Sequence, residues 1–301
     1  MEYVTVAYDT PEQTEALNRL LAGGGREAVA QIEELFGVDY RLDKETDTDV
    51  RVMSANVEYV AWDPADPKRE KYERRMQLTA ECINNHRADF VGLQECCEIM
   101  RKPLNPHLDP VYAYVEFENV KPNIEYFPIL YRTDAWRVEE SGTGEYPAAP
   151  RPWGYVWATF SRLSDPADKF TVMNLHYVPA PFVGRGVTWD EFRNPLAEEL
   201  NGLMRLMLEK NPAIPIAVTG DYNTKRESEL YEIMVKDLPL EEAALLTEDS
   251  NMTEEQKRNW AVDHISVSYE NVAVVAHRQL DYYPKKTLSD HWHYIADLRK
   301  K

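Results

Sequence analysis

The 301-residue sequence predicts a layered domain of the α/β or α+β class, built on sheets. Three observations carry that expectation. Strand-like apolar runs far outnumber helical ones. The strongest helical stretches are amphipathic, so each offers one face to a sheet. Strand after strand also ends in a polar side chain capable of chemistry, and such residues can converge at one sheet edge.

Taken in order, Tyr3 to Tyr8 reads as a short strand, and residues 11 to 36 as one or two helices broken at Gly23-Gly24-Gly25. Val38 to Leu42 reads as a second strand and Asp43 to Asp49 as a linker. Residues 1–49 hold 12 acids against 4 bases, nearly half of the net charge in a sixth of the chain. We read this stretch as a small acidic appendage, a solvated cap in preference to an oligomerisation or partner surface. The main domain then spans residues 50–301.

Within it, Val50 to Ala55 is a strand ending at Asn56. A proline-rich loop, Trp62 to Pro67, precedes an amphipathic helix over 68–87, with Tyr72, Met76, Ala80 and Ile83 at helical spacing. Phe90 to Leu93 is a short buried strand ending at Gln94-Glu95. Tyr112 to Phe117 and Phe127 to Tyr131 read as neighbouring strands, as do Tyr155 to Phe160 and Phe170 to Leu175. Residues 195–209 form a second helix with Leu196, Leu200, Leu203, Met204 and Met207 on one face. Ile216 to Val218 leads into Gly220-Asp221-Tyr222-Asn223-Thr224, and Glu229 to Lys236 is amphipathic. Val262 to Val267, Asn271 to Ala276 and His293 to Leu298 complete the strands.

Composition narrows the class. Apolar residues make up 44% and charged residues 29%, ordinary for a domain with a sizeable core. There is no run of 18 apolar residues, so no membrane span is expected. The N-terminus lacks the basic and apolar regions of a signal peptide, and the three cysteines, Cys82, Cys96 and Cys97, are odd in number with two adjacent. Reduced thiols and a cytoplasmic location are the expectation. The net charge of −18 repels polyanions, which disfavours a nucleic-acid partner without removing a local basic groove.

Asp221 and Asn223 sit where a buried strand surfaces, a place where scaffolds commonly offer side chains to a ligand. A Gly-Asp pair after a strand is more often a plain turn. The remaining strand ends change the balance: Asn56, Glu95, His176, Asp263 and Asp290-His291 all have the same setting.

In this order the motifs Ser54-Ala55-Asn56, Gly92-Leu93-Gln94-Glu95, Glu125 to Arg132, Asn174-Leu175-His176, Gly220 to Asn223, Val262 to Ile265 and Ser289-Asp290-His291 resemble the endonuclease/exonuclease/phosphatase superfamily, the deoxyribonuclease I-like fold. The resemblance runs from about Val50 to Leu298 and leaves out residues 1–49. It implies an α+β, four-layer α/β/β/α sandwich of two packed, mostly antiparallel sheets with outer helices. It also implies phosphate-ester hydrolysis with a divalent metal, Mg²⁺ or Mn²⁺. Such chemistry must neutralise phosphate charge, activate water and stabilise the leaving oxygen.

By the same resemblance, Glu95 is the metal ligand, Asn56 adds a neutral oxygen or orients a bound water, and Asp290 is a further ligand. Asp221 holds or deprotonates the attacking water, and Asn223 donates to the water or phosphoryl oxygens. His291 contacts phosphate or moves a proton, with Asp263 orienting its ring. His176 donates to a phosphoryl oxygen and pairs with Glu125. His264, adjacent to Asp263, faces the other side of its strand and is structural. His293 shares a face with His291 if the strand has begun there. His86, His107 and His277 have no motif context and are expected at the surface.

Loops between the motifs carry Trp62, Trp153, Trp189 and Trp260, with Arg151, Arg185 and Arg193 nearby. Aromatic rings with guanidinium groups suit a sugar or nucleotide phosphate, and packing in the core or loops is the plainer alternative for these tryptophans. We take Arg151, Arg185 and Trp189 as substrate-binding candidates. The leading expectation is a metal-dependent phosphoesterase of a small phosphorylated molecule, a sugar, inositol or nucleotide phosphate. A nuclease is the alternative within the enzyme class. A binding or scaffold protein with the same fold is the alternative outside it, and a degenerate scaffold would be expected to lose one of these motif residues.

Overall fold

The computed structural model describes residues 7–59, 70–117, 127–145, 154–178, 189–259, 261–284 and 286–301. The described elements are α1 (Pro11–Leu21), α2 (Gly25–Phe36), β1 (Val50–Asn56), α3 (Tyr72–His86), β2 (Phe90–Gln94), α4 (Glu98–Leu104), β3 (Tyr112–Tyr114), β4 (Ile129–Arg132) and β5 (Trp136–Glu145). They continue with β6 (Gly154–Arg162), β7 (Asp165–His176), α5 (Trp189–Lys210), β8 (Ile216–Asp221), α6 (Glu229–Val235), β9 (Leu240–Glu242), α7 (Glu254–Asn259), β10 (Asp263–Ser268), β11 (Val272–Gln279) and β12 (Tyr294–Lys300).

The strands form two six-stranded sheets, in the orders β11-β12-β1-β2-β4-β3 and β5-β6-β7-β8-β10-β9. Each holds one parallel pair, β1 with β2 and β7 with β8, and is otherwise antiparallel. Parallel neighbours need a crossover. Helix α3 lies between β1 and β2 in the chain, and α5 between β7 and β8. The central strands are buried throughout, so they read as near-continuous apolar runs instead of alternating ones.

Between the sheets lies an aromatic core. Phe90 packs its ring 4.9 Å from Trp136 and 4.5 Å from Phe160, with Phe170 at 5.8 Å. The outer face of the first sheet is covered by α1 to α4, through a cluster containing Leu20, Ile32, Met53, Met76, Ile83, Leu93 and Tyr282. The outer face of the second is covered by α5 and α6, through Leu196, Leu200, Met204, Val218 and Met234. These are the four layers the sequence implied.

The sheets approach closely where Gly92 faces the second sheet. A Cβ there would collide with Thr219 Oγ1 and Asn174 Oδ1. Asn174, fully buried, donates to Leu93 O and Phe127 O, and accepts from Gln94 Nε2 at 2.7 Å. The Gly-Leu-Gln-Glu motif therefore locks the two sheets together one residue before it delivers Glu95.

Several elements differ from expectation. Val38 to Leu42 is not a strand. Arg41 takes a left-handed backbone (φ +56), and Tyr40 turns its ring into the core, with its hydroxyl on Asp281 Oδ1 at 2.8 Å. Residues 1–6 lie outside the described residues, and Ala7-Tyr8 is irregular. Helices α4 and α7 and strands β5 and β9 were not anticipated. His86 and His277 are buried, not at the surface, whereas His107 is exposed. His86 Nε2 meets the Tyr282 hydroxyl at 3.0 Å, and His277 stacks on Tyr294. Burial, with nearby guanidinium charge adding to it, pushes both rings down to about 3. The three cysteines are free and buried. Among the described residues, no helix is long and apolar enough to cross a membrane.

Candidate active site

Strand register explains why distant motifs meet. Asn56 is opposite Gln94 across the parallel β1–β2 pair, and His176 is opposite Asp221 across the parallel β7–β8 pair. The C-terminal ends of four central strands thus lie at one edge of the sandwich. The antiparallel neighbours begin there: Asp263, first residue of β10, is opposite Asp221, and His291 lies just before β12.

Asp221 is the centre. It is only 2% exposed. Its Oδ2 is 3.1 Å from Asn56 Nδ2, 3.5 Å from His176 Nε2 and 4.0 Å from His291 Nε2. Its Oδ1 accepts the Asn223 backbone N–H at 2.8 Å. Burial would raise this carboxyl, but His176, His291 and the Asn223 amide outweigh it and hold the group at about 2. It is an anion at neutral pH.

Two imidazoles flank it. His291 Nδ1 is 2.7 Å from Asp263 Oδ2, while Nε2 faces Asp221 and, at 3.8 Å, Asp290 Oδ1. Burial works against charge on this ring, yet Asp263 first, then Asp221 and Asp290, raise it well above the ordinary histidine range. Burial also pushes Asp263 upward, against the pull of His291. We place the pair's proton on the ring, because three carboxylates face it. His176, also buried, is raised in the same sense: Asp221 beside it overrides the burial.

Glu95 stands at the end of β2 with a left-handed backbone (φ +61), which swings its side chain toward β1. Its Oε2 accepts Tyr59 N–H at 2.6 Å, and its Oε1 is 3.4 Å from Asn56 Nδ2. Asn56 therefore sits between the Glu95 and Asp221 carboxylates. Its Oδ1 accepts Glu58 N–H at 2.9 Å, so the amide nitrogen is what faces the two acids. Asp290 is the exposed acid of the group, with its side chain 44% accessible.

The Asp221–Asn223 turn is held from behind. Asn223 is left-handed (φ +50) and donates its Nδ2 to Tyr177 O at 2.9 Å. Arg193 of α5 donates to Tyr222 O and Asn223 O, and its guanidinium lies over Tyr177. Arg193, grouped with possible ligand arginines from sequence, is instead a buried support of this turn. His264 faces away from the site as expected. Its two ring nitrogens are each 2.8 Å from Glu242 Oε2 and Thr224 O, so it supports the same turn from below.

His293 lies before β12 begins, is buried, and is pushed down to about 4 by burial, so it does not extend the set of charged groups. Glu125, Arg151 and Arg185 lie outside the described residues, as do Trp62, Trp153 and Trp260. Trp189 is the first residue of α5. The structure thus brings together Asn56, Glu95, His176, Asp221, Asn223, Asp263, Asp290 and His291. That Arg193 and His264 support this turn was not legible in the sequence, because bonds from a side chain to distant backbone carbonyls leave no motif.

Comparison with solved structures gives the same architecture. The chain is similar to an endonuclease/exonuclease/phosphatase family protein from Bacteroides thetaiotaomicron at 21% identity and a TM-score of 0.68, covering 83% of this chain and 97% of that one. A family member from Bacteroides vulgatus matches at 24% identity and 0.65, covering 85% and 100%. A mannosyl-6-phosphatase of Bacteroides thetaiotaomicron matches at 20% and 0.66, covering 83% and 99%. No curated protein matches the sequence significantly. The family description "Endonuclease/Exonuclease/phosphatase family" matches residues 53–291, which spans every strand end described above. The chain belongs to the endonuclease/exonuclease/phosphatase family.

Proposed function

We propose that the protein is a divalent-metal-dependent phosphoesterase acting on a small phosphorylated substrate. One observation carries the reading: a buried Asp221 carboxylate stands between two imidazoles, His176 at 3.5 Å and His291 at 4.0 Å, whose hold on a proton is raised by neighbouring acids. That arrangement offers a base for water and two imidazole donors for phosphoryl oxygens in one place. Members of the family are typically hydrolases of phosphate esters.

In this reading Asp221 orients the attacking water and takes its proton, while Asn56 and the Asn223 backbone fix the carboxylate. His176 and His291 donate to the phosphoryl oxygens. Asp263 keeps the His291 ring aligned and charged. Asn223, tethered through Tyr177 O, has a second amide hydrogen for the water or the phosphoryl group.

A metal fits the remaining donors. Glu95 and Asp290 are hard oxygen ligands at the open side of the site, of the kind Mg²⁺ or Mn²⁺ uses sparingly. When bound, the ion supplies charge neutralisation at the phosphoryl and leaving oxygens. Asp221, Asp263 and His291 also place ligand atoms within 4.8 Å of one another. We leave that trio to the water and the phosphoryl group, the roles given to Asp221 and His291 above, with Asp263 engaged on His291 Nδ1 at 2.7 Å.

The substrate class follows from charge. A net −18 opposes a polyanion far more than a small phosphate. The neighbouring mannosyl-6-phosphatase makes a sugar phosphate the first candidate, with Arg151, Arg185 and Trp189 as binding candidates. The test is phosphate release from a panel of sugar, inositol and nucleotide phosphates with Mg²⁺ or Mn²⁺, alongside an oligonucleotide nicking assay. The expected outcome is turnover of a small ester that chelation abolishes and added metal restores. Nicking without small-ester turnover would make it a nuclease. Metal binding with neither activity would leave a binding protein.

A further inference from the structure

A single buried arginine outside the site ties together two of the loops that build it. Arg75, in the first turn of α3, is fully buried. Its Nη1 donates to Val57 O at 2.7 Å and to Leu288 O at 3.2 Å, and its Nη2 donates to Glu58 O at 3.0 Å. The first and third acceptors belong to the turn leaving β1, directly after Asn56. The second belongs to the loop that delivers Asp290 and His291.

Glu58 completes the link. It is 3% exposed and left-handed (φ +55), a backbone conformation uncommon for a residue with a Cβ. Its Oε2 lies 3.6 Å from Arg75 Nη1 and accepts the Asp290 backbone N–H at 3.1 Å. Its own N–H is held by Asn56 Oδ1. A continuous chain of contacts therefore runs from Asn56 through Glu58 and Arg75 to Leu288 and Asp290.

Burying a guanidinium is costly unless its donors and charge are satisfied. Along the same face of α3, Leu78, Thr79 and Cys82 are fully buried, so the guanidinium sits in the interior and is held there by the bonds just described. What an arginine adds is a planar fork whose donors reach two loops at once. Lysine cannot reproduce that geometry. The consequence lies across the sandwich: the loop that Arg75 fixes belongs to the first sheet, and its tip, His291, is where it meets Asp221 and Asp263 of the second.

We propose that Arg75 is a positioning residue of the active site, setting through Glu58 and Leu288 how far the His291 loop reaches toward Asp221 and Asp263. The proposal rests on the functional reading above only for the rate it predicts; the placement of His291 can be read without any substrate.

The test is Arg75→Lys in the full chain. Circular dichroism should stay that of the wild type. The downfield proton resonance of His291 Nδ1–H on Asp263, identified by its loss in His291→Gln, should move upfield or vanish. On a substrate the wild type turns over, kcat should fall by about 10-fold or more with KM within about twofold, since about 1 Å of misplacement is enough for such a loss. A folded Arg75→Lys protein with an unmoved His291 resonance would overturn the proposal, whether or not any phosphate is hydrolysed. Should Arg75→Lys fail to fold, Glu58→Ala breaks the same link from the other end. A shifted His291 resonance there supports the proposal, and an unchanged one overturns it.

Discussion

Replacing Asp221 by Asn should lower kcat by about 10²–10⁴-fold, the range for loss of a positioned acid–base group. The substitution keeps the shape of the side chain and removes only its charge and basicity. The Asn56 amide, the Asn223 N–H and both imidazoles surround that carboxylate, so the local donors are arranged for its charge. Steady-state kinetics at saturating substrate would check it, with KM moving far less than kcat. Near wild-type turnover would remove Asp221 from the reaction. A stability effect accompanies the change. Because the folded carboxyl is held at about 2, its stabilising contribution is complete above the unfolded value of about 3.9 and is lost as pH falls toward 2. Asp221→Asn should therefore lower the unfolding midpoint at neutral pH, and the gap to the wild type should close in strong acid.

Asp263→Asn should have the second largest effect, a loss of about 10²-fold or more in kcat, within the same acid–base range. It should also change the shape of the pH profile. Asp263 is the main cause that raises His291, so its removal lowers the ring's pKa and the ring loses its proton at a lower pH. If charged His291 serves the reaction, the alkaline limb of kcat against pH moves to lower pH in the variant. The sign for stability agrees. A raised histidine contributes fully below its unfolded value of about 6.5, and that contribution is lost as pH rises through the folded value. The variant's stability deficit should thus be largest on the acid side and shrink on the alkaline side. An alkaline limb that stays in place, with only kcat reduced, would show that Asp263 orients the ring without setting its charge.

The edge that carries the candidate site was legible in the sequence for a physical reason. Buried strands read as apolar runs, and a run that breaks at an acid, amide or histidine marks where a strand leaves the core. Asn56, Glu95, His176 and Asp221 all announce themselves this way, and parallel pairing of β1 with β2 and β7 with β8 brings them to one side. The antiparallel partners then supply Asp263 and His291 from their starts.

What escaped reading has equally physical causes. Strand β5, Trp136-Arg-Val-Glu-Glu-Ser-Gly-Thr-Gly-Glu145, is an edge strand rich in polar residues and glycine, and its pairing with β6 defines it more than its own pattern does. The alternation Val38, Tyr40, Leu42 has the period of a strand, but Arg41 turns left-handed and Tyr40 reaches for Asp281. His86 and His277 look like surface residues until tertiary packing covers them. The side chains that hold the site in shape, Arg75, Arg193 and His264, bond to backbone carbonyls or to a buried acid contributed by other segments. No local spacing in a sequence encodes that kind of partner.

In the proposed reaction Asp221 directs a water molecule at phosphorus. Hydrolysis in ¹⁸O-labelled water, with the released phosphate and alcohol analysed by mass spectrometry, tests it most directly. The prediction is one solvent-derived ¹⁸O in the phosphoryl product of a single turnover and none in the alcohol. Label in the alcohol and not in the phosphoryl product would mean attack at carbon, and would contradict the roles assigned to Asp221, His176 and His291.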